Sequence, residues 1–227
     1  MVEMIGAYYQ SYKNQKSFEN TILSFRKWYP AASLIVNSDG GDDFSEFCSQ
    51  HGATFTMKQK LKTGRNLVFD SIGAILEFVK RIWDSLHSIH EPYFILLEDD
   101  VRILRRHTKP FQYTLNGCNP NEFLPVQMQG ILRERGYTGS FQYGACGGTV
   151  LHTDFLKKIS FEAVEEALYE LPKAVYGSDQ VLSYLVLYFG GTIGPYEEFA
   201  EMWYADIQLR IDGDIVAFLH QYKKEYD

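Results

Sequence analysis

Cysteine is scarce in this chain: Cys48, Cys118 and Cys146 are the only three among 227 residues. The count is odd and no CxxC pair occurs, so neither a disulfide framework nor a cysteine zinc site of familiar spacing is expected, and a reducing compartment is the simpler setting. Long apolar runs are missing too; none approaches the ~20 residues that cross a bilayer. The opening MVEMIGAYYQSYKNQ has no basic flank leading into an apolar stretch, so no secretory signal is read there. A cytoplasmic location is expected, with peripheral membrane association left open. Positive charge is in deficit: 22 Lys and Arg against 29 Asp and Glu leave a net charge of -7, which argues against nucleic acid as a partner. No repeat or low-complexity tract stands out.

What is abundant is apolar and aromatic. Hydrophobic residues make up 45% of the chain, with 16 Tyr and 16 Phe, enough for one sizeable core and for the walls of a pocket. The first hundred residues alternate between two periodicities. Met4 to Tyr9 reads as a strand. Phe18, Ile22, Phe25 and Tyr29 recur at helical spacing until Pro30. SLIVN (33–37) reads as a second strand closed by a turn at Ser38-Asp39-Gly40-Gly41, and a short helix through Phe44, Phe47 and Cys48 leads to a third strand over 53–57. Val68, Ile72, Ile75, Val79, Ile82 and Leu86 predict a long helix with Asn66 as its N-cap, and Tyr93 to Leu97 is the continuous apolar run of a parallel strand covered on both faces. The order βαβαβαβ predicts a doubly wound open sheet, whose ligands lie beyond the carboxyl ends of the strands. Residues 105–142 read as a long, partly irregular excursion with Pro110, Pro125 and Gly136. That stretch and its approach carry Arg102, Arg105, Arg106, Lys109, Arg133 and Arg135, either a surface for an anionic acceptor or a solvated charged loop. Regular structure is expected again over 142–152 and around 161–171, and Ser178 is read as capping a helix over 179–189.

Directly after the fourth strand, FILLEDDVRI (94–103) places Glu98, Asp99 and Asp100 in a row. Three adjacent carboxylates repel one another, and protons or a cation must relieve that repulsion. A hard divalent ion takes oxygen ligands and keeps open positions for phosphate oxygens. In an extended segment Glu98 and Asp100 share a face and Asp99 points the other way, toward a ribose hydroxyl in this reading; a solvated acidic loop is the alternative. Asp39, after the second strand, suits either the imide N–H of a uracil or a turn that it stabilises itself. Gly64-Arg65-Asn66 is read as opening the long helix, with Arg65 near a base or diphosphate or simply exposed.

YFILLEDDV resembles the DXD-type motif of the GT-A glycosyltransferases, which take nucleoside diphosphate sugars as donors. YGACGGTV (143–150) resembles their glycine-rich loop near donor sugar and acceptor. Ser178-Asp179 is similar to the xED motif, with Ser where the motif has Glu, and His220 resembles the C-terminal histidine that completes the metal shell. The resemblance implies an α/β GT-A-like (Rossmann-like) doubly wound open mixed sheet flanked by helices, one domain over 1–227, with 1–104 binding the nucleotide sugar and 105–227 the acceptor. It implies a metal-dependent, inverting transfer from a UDP-sugar to a hydroxyl of a glycan or glycoconjugate. Mn2+ or Mg2+ would be held by Glu98, Asp100 and His220, the donor by Asp39, Arg65, Asp99, Gly147 and Gly148, and Asp179 would be the base. A nucleotidyltransferase would need a glycine-rich phosphate loop after the first strand, where the chain has Tyr8-Tyr9-Gln10-Ser11-Tyr12. A non-catalytic sugar-nucleotide-binding scaffold is the other alternative.

Overall fold

Strands and helices alternate through most of the first half of the molecule. The computed structural model describes residues 4–61, 68–69, 71–118, 122–172, 176–201 and 215–220. In chain order the elements are β1 (Ile5–Ser11), α1 (Gln15–Trp28), β2 (Leu34–Asp39), α2 (Ser45–Gln50), β3 (Thr54–Lys58), β4 (Val68–Phe69), α3 (Ile72–Leu86) and β5 (Tyr93–Leu97). There follow β6 (Arg102–Ile103), β7 (Leu115–Asn116), α4 (Val126–Glu134), β8 (Val150–His152), α5 (Thr153–Leu156) and α6 (Phe161–Tyr169). The last are β9 (Tyr176–Gly177), α7 (Ser178–Tyr188), β10 (Ile193–Gly194), β11 (Phe199–Glu201) and β12 (Phe218–His220).

Among the described residues, seven strands form the main sheet in the order β10-β7-β8-β5-β1-β2-β3. β3, β2, β1 and β5 run parallel, while β8 lies antiparallel between β5 and β7. Alternation along the parallel strands divides the core between the two faces. Tyr8, Phe94 and Leu96 enter one apolar cluster, with α3, α6 and α7 above them. Ile5, Ala7, Tyr9, Tyr93, Ile95 and Leu97 enter the other, under Phe18, Ile22 and Phe25 of α1. Phe94 is fully buried, and truncating such a ring to Ala costs about 3–5 kcal/mol. The common direction of β1, β2, β3 and β5 brings Ser11, Asp39, Lys58 and Leu97 to one edge, where ligands of open α/β sheets bind.

The structure corrects four readings. The long helix begins at Ile72 with Ser71 as N-cap, its hydroxyl accepting from the Ala74 amide; Val68 and Phe69 instead pair antiparallel with Gly177 and Tyr176. The excursion over 105–142 contains a helix, α4, with Pro125 at its N-cap position and Gly136, at φ +86°, just beyond its end. Regular structure between 142 and 152 is confined to β8, preceded by an isolated bridge from Gln142 to Phe123. At the start of α7 the N-cap position belongs to Gly177, not Ser178, and the Gln180 side chain accepts from the Gly177 amide at 3.1 Å. Among the described residues no helix is long and apolar enough to cross a membrane.

Candidate functional site

The acidic turn is fixed from below. After the buried β5, Val101 N donates to the Glu98 carbonyl at 3.1 Å and closes the turn. The Thr21 hydroxyl of α1 lies 3.3, 3.4 and 3.2 Å from the carbonyls of Glu98, Asp99 and Val101, and Arg102 Nη1 donates to Thr21 Oγ1 at 3.2 Å. The side chains then diverge. Tyr9 on β1 donates its hydroxyl to Asp99 Oδ1 at 2.6 Å. Burial, and then the charge of Asp99, push the Tyr9 phenol well above its ordinary pKa, so it stays a donor.

Glu98 and Asp100 turn toward His220. Its Nε2 stands 3.7 Å from Glu98 Oε2 and 3.6 Å from Asp100 Oδ1. A second, three-stranded sheet, β11-β12-β6, delivers the histidine. β6 follows the acidic turn at once, β12 pairs antiparallel with it, and β11 lies parallel to β12 with Glu201 opposite His220. Glu201 Oε1 is 2.8 Å from His220 Nδ1, which fixes the ring and leaves Nε2 facing the two acids. Gly147 makes this closeness possible. A Cβ there would stand 2.7 Å from Val101 Cγ2, 2.9 Å from His220 Cδ2 and 3.0 Å from Glu98 Cβ. Gly148, at φ +84°, turns the loop back and donates its amide to the Leu96 carbonyl at 2.7 Å. Both glycines thus serve close packing of the loop on the site.

The electrostatics of this cluster are unresolved within the protein. Burial raises the Asp100 pKa, His220 pulls it down, and Glu98 and Asp99 add to the rise. Burial opposes charge on His220, but hydrogen bonds with Cys146, Glu201 and Glu98 outweigh it and hold the imidazole pKa well above normal. A proton on His220 relieves part of the repulsion; a divalent cation among the same atoms relieves more. One donor atom from each of Glu98, Asp100 and His220 falls within a 4.8 Å span, and two carboxylates with one oriented imidazole fit Mn2+ or Mg2+.

Asp179 sits in the first turn of α7, where its Oδ1 accepts from the Gln180 amide at 2.9 Å. Burial pushes its pKa up to about 6; the Gln180 amide works against that, and the charges of Glu98 and Glu122 add to it. Tyr143 lies in the same field. Burial first, then a hydrogen bond with Glu122 and the charge of Asp179, raise its phenol pKa, while a hydrogen bond with the Gln180 side chain lowers it.

Asp39 lies further along the same edge. It is 6% exposed, and its Oδ1 accepts from the Leu61 amide and from Arg81 Nη1, both at 2.8 Å. Arg81 is buried and also bonds Glu77 Oε1 at 3.0 Å. Beside this pair opens a cavity of about 390 Å3 walled by Lys60, Leu61, Ala74, Glu77 and Arg81. Arg65 lies outside the described residues, as does Asn66.

The structure therefore brings Glu98, Asp100, His220 and Gly147 together, with Asp179 within electrostatic reach and Asp39 further along the edge. The basic residues of 102–135 do not form one anion surface: Arg102 is buried, Arg105 pairs with Glu198 at 2.8 Å and Arg135 with Glu170 at 3.2 Å. Two residues of the site, Glu201 and Glu122, had no sequence reading, and Tyr143 and Cys146 were read only as members of the glycine-rich stretch 143–150. The one local trace of Glu201 is that FAE (199–201) and FLH (218–220) share an apolar-apolar-polar pattern, too short to read as paired strands.

No protein-family profile matches the chain, and no curated protein matches it in sequence. Solved structures do. The apo-form glycosyltransferase GlyE of Streptococcus pneumoniae TIGR4 superposes with a TM-score of 0.55 at 13% identity, over 97% of this chain and 55% of that one. An active-site mutant of LgtC superposes with a TM-score of 0.54 at 13% identity, over 96% of this chain and 87% of that one. This chain thus spans little more than half the length of GlyE. Its mixed sheet, flanked by helices in a single domain, has the GT-A glycosyltransferase fold.

Proposed function

We propose that this chain is a metal-dependent glycosyltransferase that moves a sugar from a nucleoside diphosphate, UDP first among them, to a hydroxyl of a glycan or glycoconjugate. The observation that carries this reading is the convergence of Glu98, Asp100 and His220 at the carboxyl edge of a GT-A sheet, with Asp179 close by. Glu98, Asp100 and His220 would hold the cation, with Glu201 orienting the imidazole. A bound divalent ion supplies charge neutralisation to the diphosphate leaving group. We assign the nucleoside to the cavity beside Asp39, whose carboxylate, braced by Arg81, accepts from the base. Asp99, held by Tyr9, turns toward the ribose. Arg65 is assigned to the base or diphosphate, and the Gly147-Gly148 backbone to the donor sugar.

Asp179 is the acceptor's base in this proposal. With a pKa raised to about 6 it is mostly ionised at neutral pH and still basic enough to take a hydroxyl proton. Attack on the anomeric carbon is then one displacement with inversion. The test is release of UDP from a panel of UDP-sugars, with Mn2+ and with chelator, followed by NMR of the product's anomeric configuration. Metal-dependent turnover with inversion supports the proposal. Retention would remove the base role from Asp179, and tight donor binding without any turnover would leave a sugar-nucleotide-binding scaffold.

A further inference from the structure

His220 belongs to two sets of donors. Besides the acidic turn, a Cys146 sulfur, a Glu201 carboxylate oxygen and a His220 nitrogen lie within 4.8 Å of one another. Separate stretches of chain hold them there. Glu201 and His220 are cross-strand partners in the β11–β12 pair, joined at 2.8 Å. Cys146 is set by the turn ahead of β8: its carbonyl accepts from Thr149 Oγ1 at 2.7 Å and from Thr149 N at 3.2 Å. The Gly148 amide anchors the same turn to β5, and the Gly147 Cα passes so near His220 that a Cβ would stand 2.9 Å from its ring. The sulfur is therefore held beside the imidazole by a braced backbone.

The two sets differ in softness. Glu98, Asp100 and His220 offer two oxygens and a nitrogen; Cys146, Glu201 and His220 offer sulfur, oxygen and nitrogen. Hard cations choose the first kind, and Zn2+ or Co2+ accept the second. With bonds of about 2.0–2.3 Å, a tetrahedral ion needs donors about 3.3–3.7 Å apart; the sulfur set already lies within 4.8 Å, and its Glu201–His220 pair, 2.8 Å apart, opens slightly to admit the ion. We propose that Cys146, Glu201 and His220 form a binding site for a thiophilic divalent cation, separate in ligands from the acidic turn but coupled to it through His220. Binding replaces the S–H bond with a sulfur–metal bond and releases the proton to solvent. Because both sets draw on one imidazole, and two dications so close repel, a zinc ion here weakens Mn2+ binding at Glu98 and Asp100.

The test needs no sugar nucleotide, so its outcome is independent of the glycosyltransferase reading. Co2+ is titrated into the full chain and the absorption spectrum recorded. A thiolate-to-cobalt charge-transfer band in the near ultraviolet is expected, lost in Cys146→Ser and kept in Asp100→Asn. A spectrum without that band overturns the proposal, as does a band that survives Cys146→Ser or disappears in Asp100→Asn. As a check that requires no variant, mass spectrometry of iodoacetamide labelling should show Zn2+, but not Mg2+, slowing modification of Cys146. Equal labelling with both ions would overturn the proposal as well.

Discussion

The carboxylates of two regions in this molecule meet opposite fates. Glu198 is 3% exposed and surrounded by donors: Arg105 Nη2 at 2.8 Å, Thr108 N at 2.8 Å and Oγ1 at 2.6 Å, Lys109 N at 3.1 Å and the Tyr196 hydroxyl at 2.7 Å. Burial alone would raise its pKa, yet those donors bring it down to about 2. Asp100 and Asp179 are only partly buried, their neighbours include other acids, and desolvation together with those charges pushes both upward. Glu198 is solved within the fold and clamps the 105–109 segment to the strand region that carries β11. The acidic turn is left unsolved, and groups in that condition mark places where a cation, substrate or proton completes the structure.

Breaking the unsolved group should abolish function and spare the fold; breaking the solved one should do the reverse. The largest effect expected is from Asp100→Asn, which should eliminate Mn2+-dependent UDP binding while leaving the melting temperature unchanged or raised, since a repelling charge is removed. Asp179→Asn should lower kcat by about 10²–10⁴-fold. In the wild type, kcat should fall as pH drops through about 6, because the base is then protonated, and this acid limb should vanish in the variant. Glu198→Gln should cost about 3 kcal/mol in a denaturant titration. The folded pKa of Glu198 lies below its ordinary 4.5, so its contribution is complete above that pH and is lost as pH falls toward about 2. Gly147→Ala sharpens the contrast from the backbone side: the loop must shift away from Glu98 and His220, costing about 1–3 kcal/mol and weakening Mn2+ affinity more than stability. The smallest effect belongs to the exposed Lys80–Asp84 pair, 49% and 52% accessible, where Lys80→Ala should change stability by less than about 0.5 kcal/mol.

The fold was legible where it depends on local periodicity. Alternation and helical spacing locate β1 to β3, α1, α2 and β5, and β5 in turn places Glu98–Asp100 at the carboxyl edge. Legibility failed where distant pairing decides. Val68 continues the helical spacing of α3, yet its backbone joins a two-stranded pair with Gly177. Pro125 and Gly136 read as loop residues, but they bracket α4 as its start and stop signals. The site divides in the same way. Glu98 and Asp100 follow a recognisable strand, whereas Glu201 and Cys146 reach His220 only through three-residue strands and a braced turn, which leave almost no pattern in sequence.

Calorimetric titration of UDP into the protein, first with Mn2+ and then with chelator, tests the central claim most directly. The proposal predicts binding with Mn2+ that disappears with chelator and in Asp100→Asn. UDP and GDP both failing to bind with Mn2+, or binding equally well with chelator, would contradict a cation site at Glu98, Asp100 and His220 that holds a nucleoside diphosphate.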